Sequence, residues 1–412
     1  MLVASAKPRL AFISPVFLFP NDAGGKIRTT NILRGLKGGA FHITLVSVAS
    51  EEQRQRWGSE IGSVCDQFIH WKPVASKPKW LRAFDLLKAL PINVIADKTP
   101  QGAAAAEHVA QSLGVDVVVF DFVHSAVLWP KKLTCASVCF THNVEAEIFA
   151  RHAQKASNPF QRWMWSSQHK KMFRFEREAL RKFTTVIAVS DRDAGTFAQN
   201  YALVDSQAIP TGVDLEFFSW TEPPPNSEAT PATVVFTGSM DWAANIDGVQ
   251  FFLKEVWPVV LSGLPTAKFV VVGRHPPPAL VALAQQTKNV QFTGFVDDVR
   301  PYVHAAHVFV IPLLVGGGTR IKAFEAMAMG CPIVSTSIGT EGLGAESELH
   351  FLERDDATAM AQTILTLLSD SALRNQLSRR ARQIVEQKFG HQVAANAFEK
   401  ICLHAVRRYA NS

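Results

Sequence analysis

Two series of short apolar, β-branched runs, each alternating with longer segments of helical period, constrain the fold of this chain more than any other feature. Such alternation is typical of parallel sheets joined by crossover helices. The predicted strands are residues 10–14, 43–48, 115–120, 137–141 and 186–189 in the first series, and 233–237, 268–272, 290–293, 308–312 and 332–336 in the second. Two separate series predict an α/β protein with two Rossmann-like, doubly wound domains.

The segment between the two series, residues 220–231, is rich in Pro and polar residues and suits neither a strand nor a helix interior. We therefore predict an N-terminal domain over residues 1–214, a linker or hinge over 215–232 and a C-terminal domain over 233–390. The last segment, residues 391–412, has an amphipathic helical pattern. Packing back on the N-terminal domain is one arrangement for it, and the sequence alone does not select a domain.

The charge balance of the chain favours an anionic partner. Of 412 residues 47% are hydrophobic and 19% charged, which is typical of a globular chain, and the formal net charge is +6. Nucleic acid, an anionic membrane and nucleotide diphosphates all suit this excess. Basic residues gather in residues 72–88 and 169–182 without the interleaved aromatics and glycines of an RNA-reading sheet, so nucleic acid is not predicted.

Cysteine usage and hydropathy bear on the compartment. The five cysteines are scattered and odd in number, which predicts reduced, buried thiols and no metal site. No apolar run reaches the about 20 residues that span a bilayer, and residues 10–20 are interpreted as a buried strand rather than a secretion signal. These features predict a cytoplasmic protein. The basic, aromatic stretches 77–88 and 163–182 are either ordinary surface helices or a contact with the inner face of a membrane.

The segment from Val308 to Gly330 has the chemistry of a diphosphate site. A strand is followed by a glycine turn and a segment of high helix propensity, residues 323–329. The free N–H groups of such a helix start face the crevice where open α/β sheets bind ligands. The turn itself consists of Gly316, Gly317 and Gly318, with Thr319 as a candidate helix cap.

Charged residues follow this glycine turn. Arg320 and Lys322 place cations in the first helical turn, where they oppose the helix dipole unless an anion lies nearby. A glycine turn with a solvated basic end explains the same residues equally well. Glu325 interrupts an apolar helix, so its carboxylate either accepts hydrogen bonds from the hydroxyls of a ligand such as a ribose or pairs with Lys322 three residues earlier.

This segment resembles the donor-binding signature of family 4 retaining glycosyltransferases, which have the two-domain GT-B fold with a central cleft. Other motifs match that family in the expected order over essentially the whole chain. They are Gly24-Gly25-Lys26-Ile27-Arg28, Thr141-His142-Asn143-Val144-Glu145, Val189-Ser190-Asp191, Ile209-Pro210-Thr211-Gly212-Val213-Asp214, Phe236-Thr237-Gly238-Ser239-Met240, Val272-Gly273-Arg274 and Phe292-Thr293-Gly294-Phe295-Val296.

The resemblance implies roles for particular residues. Glu325 matches the glutamate that holds the donor ribose, and His142 matches a histidine that faces the donor sugar and reacting centre. Without the resemblance, a lone histidine such as His142 is more often a packed, hydrogen-bonded residue. Two loops are also implied in donor binding. Gly294, Phe295 and Val296 form the loop that is implied to bind the nucleobase. Gly24 and Gly25 form the loop that is implied to contact the phosphates and the acceptor, and a plain helix start is the alternative for these two glycines.

Two departures from the family pattern concern the donor. The glutamate expected eight positions before Glu325 is Gly317 here, which makes this a GGGTR-type variant. The stretch that begins at Gly238, which we include in the donor site, lacks the basic pair that family members often carry. We expect Arg274, Arg320 and Lys322 to take its place on the diphosphate.

The resemblance implies a retaining, metal-independent transferase that moves a hexose from a nucleoside-diphosphate sugar to a hydroxyl of a glycan or lipid-linked acceptor. Cell-envelope or exopolysaccharide biosynthesis is the expected setting, and no cofactor beyond the donor substrate is implied. Two alternatives stay open at this point. One is a sugar-nucleotide epimerase of the same fold, and the other is a non-catalytic binding protein derived from it. No G-x-G-x-x-G follows a predicted strand, which disfavours a nicotinamide-dependent enzyme.

Overall fold

The computed structural model describes residues 7–74, 78, 84–156, 158–227, 231–315 and 320–411. The chain forms two compact units. The first comprises Met1–Gly212 together with His391–Ser412, and the second comprises Val213–Gly390.

Seven parallel strands form the sheet of the first unit among the described residues, in the order β3-β2-β1-β4-β5-β6-β7. The strands are β1 (Arg9–Ser14), β2 (His42–Val48), β3 (Gln67–Trp71), β4 (Val117–Asp121), β5 (Ala136–Phe140), β6 (Thr185–Ala188) and β7 (Ser206–Ala208). After β3 the chain returns to the other side of β1, so β1 pairs with both β2 and β4. This reversal places a topological switch point at the carboxyl ends of β1 and β4.

Helices cover both faces of this sheet. They are α1 (Gly24–Leu36), α2 (Glu51–Arg56), α3 (Gly58–Val64), α4 (Ile92–Asp97), α5 (Pro100–Ser112), the 3₁₀ helix Val123–Leu128, α6 (Glu145–Lys155), α7 (Pro159–Leu180), α8 (Asp191–Tyr201) and α16 (His391–Ala410). The last of them packs on the first. A Cβ added to Gly35 of α1 would stand 2.5 Å from the Cβ of Ala395, so the close contact with α16 requires glycine.

The second unit has six parallel strands among its described residues, in the order β10-β9-β8-β11-β12-β13. The strands are β8 (Thr233–Thr237), β9 (Lys268–Val272), β10 (Val290–Gly294), β11 (Val308–Ile311), β12 (Ile333–Ser335) and β13 (Leu352–Glu353). The helices are α9 (Ala243–Phe251), the π turn Phe252–Val256, α10 (Trp257–Gly263), α11 (Pro278–Gln286), α12 (Arg300–His304), α13 (Ile321–Met329), α14 (Ala357–Ser369), α15 (Ser371–Ile384) and the π turn Val385–Phe389. The same reversal occurs here, at the carboxyl ends of β8 and β11.

Residues 215–232, predicted as a separate linker, lie within the second unit. Their described part is fastened to α15. Trp220 donates to Ser378 Oγ at 3.0 Å, and the buried Arg374 donates to Pro224 O at 2.9 Å and to Asn226 Oδ1 at 2.7 Å. A Pro-rich segment cannot join a sheet, but its carbonyl groups accept these side-chain hydrogen bonds and hold it on the surface of the unit.

The remaining features concern thiols and membrane spans. All five cysteines are buried and free, as their scattered positions predicted. Within the described ranges, no helix combines the length and the apolar character needed to cross a membrane.

Candidate functional site

Lys322 lies at the switch point of the second sheet. It is in the first turn of α13, and its Nζ donates to Asn245 Oδ1 of α9 at 3.1 Å and lies 4.3 Å from the ring centre of Phe236 on β8. A Cβ added to Gly238 would stand 2.8 Å from this Nζ. The structure therefore brings Gly238, just after β8, and Lys322, just after β11, to one point in the crevice where such sheets bind ligands.

Lys322 and Glu325 each affect the pKa of the other. Burial lowers the pKa of the Lys322 amine to about 7, with a further decrease from Arg320 and an increase from Glu325. Burial raises the pKa of the Glu325 carboxyl to about 7, opposed by Lys322. Among the described residues no ion pair or hydrogen bond joins the two. Direct pairing with Lys322, the alternative prediction for Glu325, is therefore not observed among the described residues.

Arg320 is more firmly held than the sequence suggested. It occupies the N-cap position of α13 without a side-chain cap hydrogen bond. Its guanidinium is buried, with Nε and Nη2 at 3.4 and 3.3 Å from Ile338 O, and lies 5.9 Å from the ring centre of the half-exposed Trp242. Arg320 thus fixes the start of α13, and Lys322 is the cation of this helix that approaches Gly238.

The other predicted donor residues of the second unit are more exposed. Arg274 follows β9, and its Nε donates to Ser239 Oγ at 3.2 Å, which places it beside the residue after Gly238. Gly294 ends β10 with a φ of +72°, a conformation that favours glycine. Phe295 is exposed and Val296 half-buried, as a loop that binds a base through its backbone allows. The predicted residues Gly316, Gly317, Gly318 and Thr319 lie outside the described residues.

His142 lies at the switch point of the first sheet, in a buried hydrogen-bond network. Its Nε2 is 2.7 Å from Asp121 Oδ1 at the end of β4. The same carboxylate accepts hydrogen bonds from Ser14 Oγ at 2.8 Å and from Thr29 Oγ1 at 3.0 Å. His142 Nδ1 is buried and has no hydrogen-bond partner within the described part of the chain. Burial lowers the pKa of His142, against an increase from Asp121, so the neutral ring is favoured.

Gly24 and Gly25 form the first turn of α1 and are not a separate loop. A Cβ added to Gly25 would stand 2.6 Å from the ring of Phe122 and 3.7 Å from His142 Nδ1. Phe122 has a φ of +64°, which is rare for a bulky residue. This backbone places the Phe122 ring on His142, with ring centres 4.0 Å apart. The helix start therefore lies beside the Phe122 ring and the Nδ1 edge of the imidazole.

A second buried carboxylate supports the segment after His142. Glu176 of α7 accepts hydrogen bonds from the backbone N–H groups of Glu145 at 3.0 Å and Ala146 at 3.1 Å, and from the Tyr201 hydroxyl at 2.7 Å. It therefore caps the start of α6 from outside that helix. Burial raises the pKa of Glu176 to about 8.

Sequence reasoning missed Asp121, Thr29, Ser14 and Glu176. His142 was singled out because it follows an apolar strand, β5. Asp121 ends another apolar strand, β4, so the same criterion would have identified it. Ser14 likewise ends an apolar strand, β1, so the same criterion would have found it. Thr29 and Glu176 have no such signal, because hydroxyl and carboxyl side chains in helices are usually solvated.

Two family descriptions match the chain. "Glycosyltransferase Family 4" matches residues 24–217, and "Glycosyl transferases group 1" matches residues 231–370. The chain is 26% identical over 175 residues to a phosphatidyl-myo-inositol mannosyltransferase of Mycobacterium leprae, covering 41% of this chain and 46% of that protein. It is 25% identical over 240 residues to the lipopolysaccharide core mannosyltransferase LpsB of Rhizobium meliloti, covering 52% and 66%. The matched segments thus span less than two thirds of these relatives.

Solved structures show the same fold over the whole chain. A sucrose-phosphate synthase from Thermosynechococcus elongatus superposes with a TM-score of 0.68 at 19% identity, covering 98% of this chain and 100% of that one. HepE from Anabaena in complex with UDP gives a TM-score of 0.66 at 12% identity, covering 96% and 99%. At identities this low, the superpositions show only that the folds are alike. With the two family matches covering most of the chain between them, the protein belongs to the family 4, group 1 glycosyltransferases of the GT-B fold.

Proposed function

We propose that the protein transfers a sugar from a nucleoside-diphosphate sugar to an acceptor hydroxyl. In this reaction the bond between the anomeric carbon and the β-phosphate oxygen breaks, and a bond from that carbon to the acceptor oxygen forms. The acceptor proton goes to the departing diphosphate. The charge that develops on the diphosphate is the quantity that the protein has to stabilise.

The observation that carries this proposal is the position of the Lys322 amine. It lies within the second unit at a sheet switch point, beside Gly238 and at the start of α13. Burial lowers its pKa to about 7, so the protonated and neutral forms of the amine have similar free energies at neutral pH. A diphosphate bound there would favour the protonated amine and accept hydrogen bonds from free helix N–H groups. Glu325, one turn further along the helix, suits the ribose diol, since a carboxylate accepts two hydroxyl hydrogen bonds.

The finer features of the proposal derive from the family. They are retention at the anomeric carbon, independence of metal ions, and a hexose as the transferred group. Mannosyl transfer in the matched relatives supports the hexose, and the names of both relatives support a glycan or lipid acceptor in envelope polysaccharide synthesis. We also propose a cytoplasmic protein that associates with the anionic inner face of a membrane, supported by exposed aromatic residues on α7.

A binding experiment tests the nucleotide site. Thermal unfolding of the full chain is followed with UDP, GDP, ADP and inorganic pyrophosphate, because selective binding raises the unfolding temperature. We expect one nucleotide to stabilise the protein. Lys322→Met should abolish the effect of both that nucleotide and pyrophosphate, whereas Glu325→Gln should weaken the nucleotide effect and spare pyrophosphate. Lys254→Met, at an exposed position of the same unit, is the matched control.

The reaction is tested with the sugar nucleotide that binds. Turnover that requires an added acceptor supports transfer. Conversion of the sugar nucleotide into its epimer without any acceptor would identify an epimerase instead, and tight binding without turnover on any acceptor would identify a binding protein. Proton NMR of the product reports retention at the anomeric carbon. Activity that survives a chelator supports metal independence.

A further inference from the structure

We propose that Asp121 is the positioning residue of His142: it fixes Nε2 as the ring nitrogen that carries the hydrogen and leaves Nδ1 to accept a hydrogen bond from a substrate hydroxyl. The nature of the substrate rests on the proposed function, whereas the orientation of the ring does not. The contacts of the imidazole, taken edge by edge, support this assignment.

A buried carboxylate, that of Asp121, contacts the Nε2 edge of the ring. Asp121 is fully buried and lies 2.7 Å from Nε2 through Oδ1. Ser14 Oγ and Thr29 Oγ1 donate to the same carboxylate, so strands β1 and β4 and helix α1 all fix its position. A carboxylate oxygen accepts hydrogen bonds, so in this contact Nε2 is the donor.

The two faces of the ring are in contact with aromatic side chains. The Phe122 ring stacks on His142 with centres 4.0 Å apart and an interplanar angle of 28°. The Phe140 ring lies 4.5 Å away at 52°. A ring packed in this way cannot rotate to exchange its two nitrogens without displacing a neighbour. The unusual backbone of Phe122, with a φ of +64°, is maintained by this packing.

The remaining edge, at Nδ1, has no partner among the described residues and is buried. Buried polar atoms without a hydrogen bond are rare in folded proteins and call for an explanation. Gly25 lies beside this edge, where an added Cβ would stand 3.7 Å from Nδ1 but 2.6 Å from the Phe122 ring, so the space stays closed while the first turn of α1 and the Phe122 ring keep these positions. A hydroxyl that enters when the first turn of α1 adjusts would donate to Nδ1, as substrate contacts often tighten only in the complex.

The charged surroundings favour a neutral ring as acceptor. Burial lowers the pKa of His142 most strongly, and Arg28 of α1 and His124 of the 3₁₀ helix lower it further. Asp121 raises this pKa in opposition. Replacing Asp121 by a neutral residue should therefore lower the pKa of His142 again, which moves the acid side of any activity profile that requires the neutral ring to lower pH.

Nitrogen-15 NMR of the histidine-labelled full chain tests the orientation directly. His142→Gln identifies the His142 signals by their loss. We expect the wild-type ring to show the Nε2–H form with an unprotonated Nδ1. The Nδ1–H form in the wild-type protein overturns the proposal, whatever the protein catalyses.

Two substitutions of Asp121 then separate its hydrogen bond from its charge. Asp121→Asn keeps an oxygen for Nε2, and its amide can donate to Ser14, whose hydroxyl also lies 3.0 Å from Val16 O. We expect this variant to retain the Nε2–H form and most of its turnover, with the acid limb of the pH profile displaced to lower pH. Asp121→Leu has no acceptor, and we expect it to lose the single ring form and at least about tenfold in kcat.

Asp205 offers a matched control. Its carboxylate accepts hydrogen bonds from Thr185, Gln207 and Arg408, beside the edge strand β7 of the same sheet. Asp205→Leu should leave the His142 signals and kcat of the folded protein unchanged. If Asp121→Leu behaves like Asp205→Leu in both measurements, Asp121 is only structural. If the wild-type chain transfers no sugar while its His142 shows the Nε2–H form, the proposed function fails and the orientation stands.

Discussion

The backbone of Gly238 and the side-chain amine of Lys322 approach so closely that a Cβ on the glycine would stand 2.8 Å from Nζ. The two residues follow neighbouring strands, β8 and β11, and are 84 positions apart in the chain. Their contact is the point where the tertiary fold, rather than a local motif, creates the proposed anion site.

Gly238→Ala should weaken nucleoside-diphosphate binding by about tenfold or more, because the new methyl group displaces the Lys322 amine from its position. Gly238 also has a φ of +156°, which residues with a Cβ rarely adopt, so some loss of stability accompanies the change. Calorimetric titration at a temperature where both proteins are folded measures the affinity. Gly195→Ala, where an added Cβ meets no atom within 4 Å, is the control. Unchanged affinity in Gly238→Ala would show that the Lys322 position is irrelevant to binding.

Diphosphate affinity should fall as pH rises above about 7. The amine of free Lys322, with its pKa lowered to about 7, is mostly neutral at pH 8.5, and a bound diphosphate favours its protonated form. Glu325 loses its proton over the same range and adds repulsion. For pyrophosphate, which has no ribose to bind Glu325, both effects have the same sign, so binding is accompanied by proton uptake near pH 7 to 8. Titrations in buffers of different ionisation enthalpy measure this uptake. It should decrease in Lys322→Met, and proton release in the wild-type protein would contradict the assignment.

The interior strands of both sheets and one edge strand, β10, were predictable from the sequence, but the other three edge strands were not. Strands β1, β4, β5, β8, β9 and β11 are continuous apolar runs because helices cover both of their faces. The missed strands are β3, β7 and β13, each at an edge. Their residues are largely half-buried or exposed, so no apolar run marks them, and their pairing depends on a neighbour that the local sequence does not specify.

The site was predictable only where an ionisable residue interrupts an apolar context. Lys322, Glu325 and His142 meet that condition, and the structure places Lys322 and His142 at switch points. Which residues contact their side chains was not predictable in this way. Asn245 and Asp121 act through contacts 77 and 21 residues away in sequence, and which side chains meet across such distances depends on strand order.

The exposed apolar side chains on one region of the first unit predict binding to anionic membranes. Phe84, Leu87, Phe160 and Trp163 are 60, 74, 68 and 61% exposed. Lys171 of α7 donates to Leu86 O at 2.7 Å, which holds the two segments together. Residues 77 and 79–83 of the predicted stretch 77–88 lie outside the described residues.

Vesicle co-sedimentation tests this surface. We expect binding to vesicles that contain phosphatidylglycerol, weaker binding at high salt, and little binding to phosphatidylcholine alone. The double variant Phe160→Ser, Trp163→Ser should bind less, whereas Val204→Ser, at a 97% exposed position of the same unit, should not differ from the wild type. Equal sedimentation with both lipids, or none with either, would exclude an electrostatic membrane contact.

Glu176 should make the stability of the protein depend on pH between about 5 and 8. Its folded-state pKa of about 8 lies above the ordinary value of 4.5, so the folded state holds a proton that the unfolded chain releases. The resulting stabilisation is complete below the ordinary value and is lost as pH rises to 8. Glu176→Gln keeps a neutral side chain at every pH and should remove this part of the slope. Tyr201→Phe, which removes one donor to Glu176, should cost about 1 kcal/mol but retain the slope. Urea unfolding at pH 5, 6.5 and 8 measures both quantities, and a wild-type slope that persists unchanged in Glu176→Gln would assign the pH dependence to other groups.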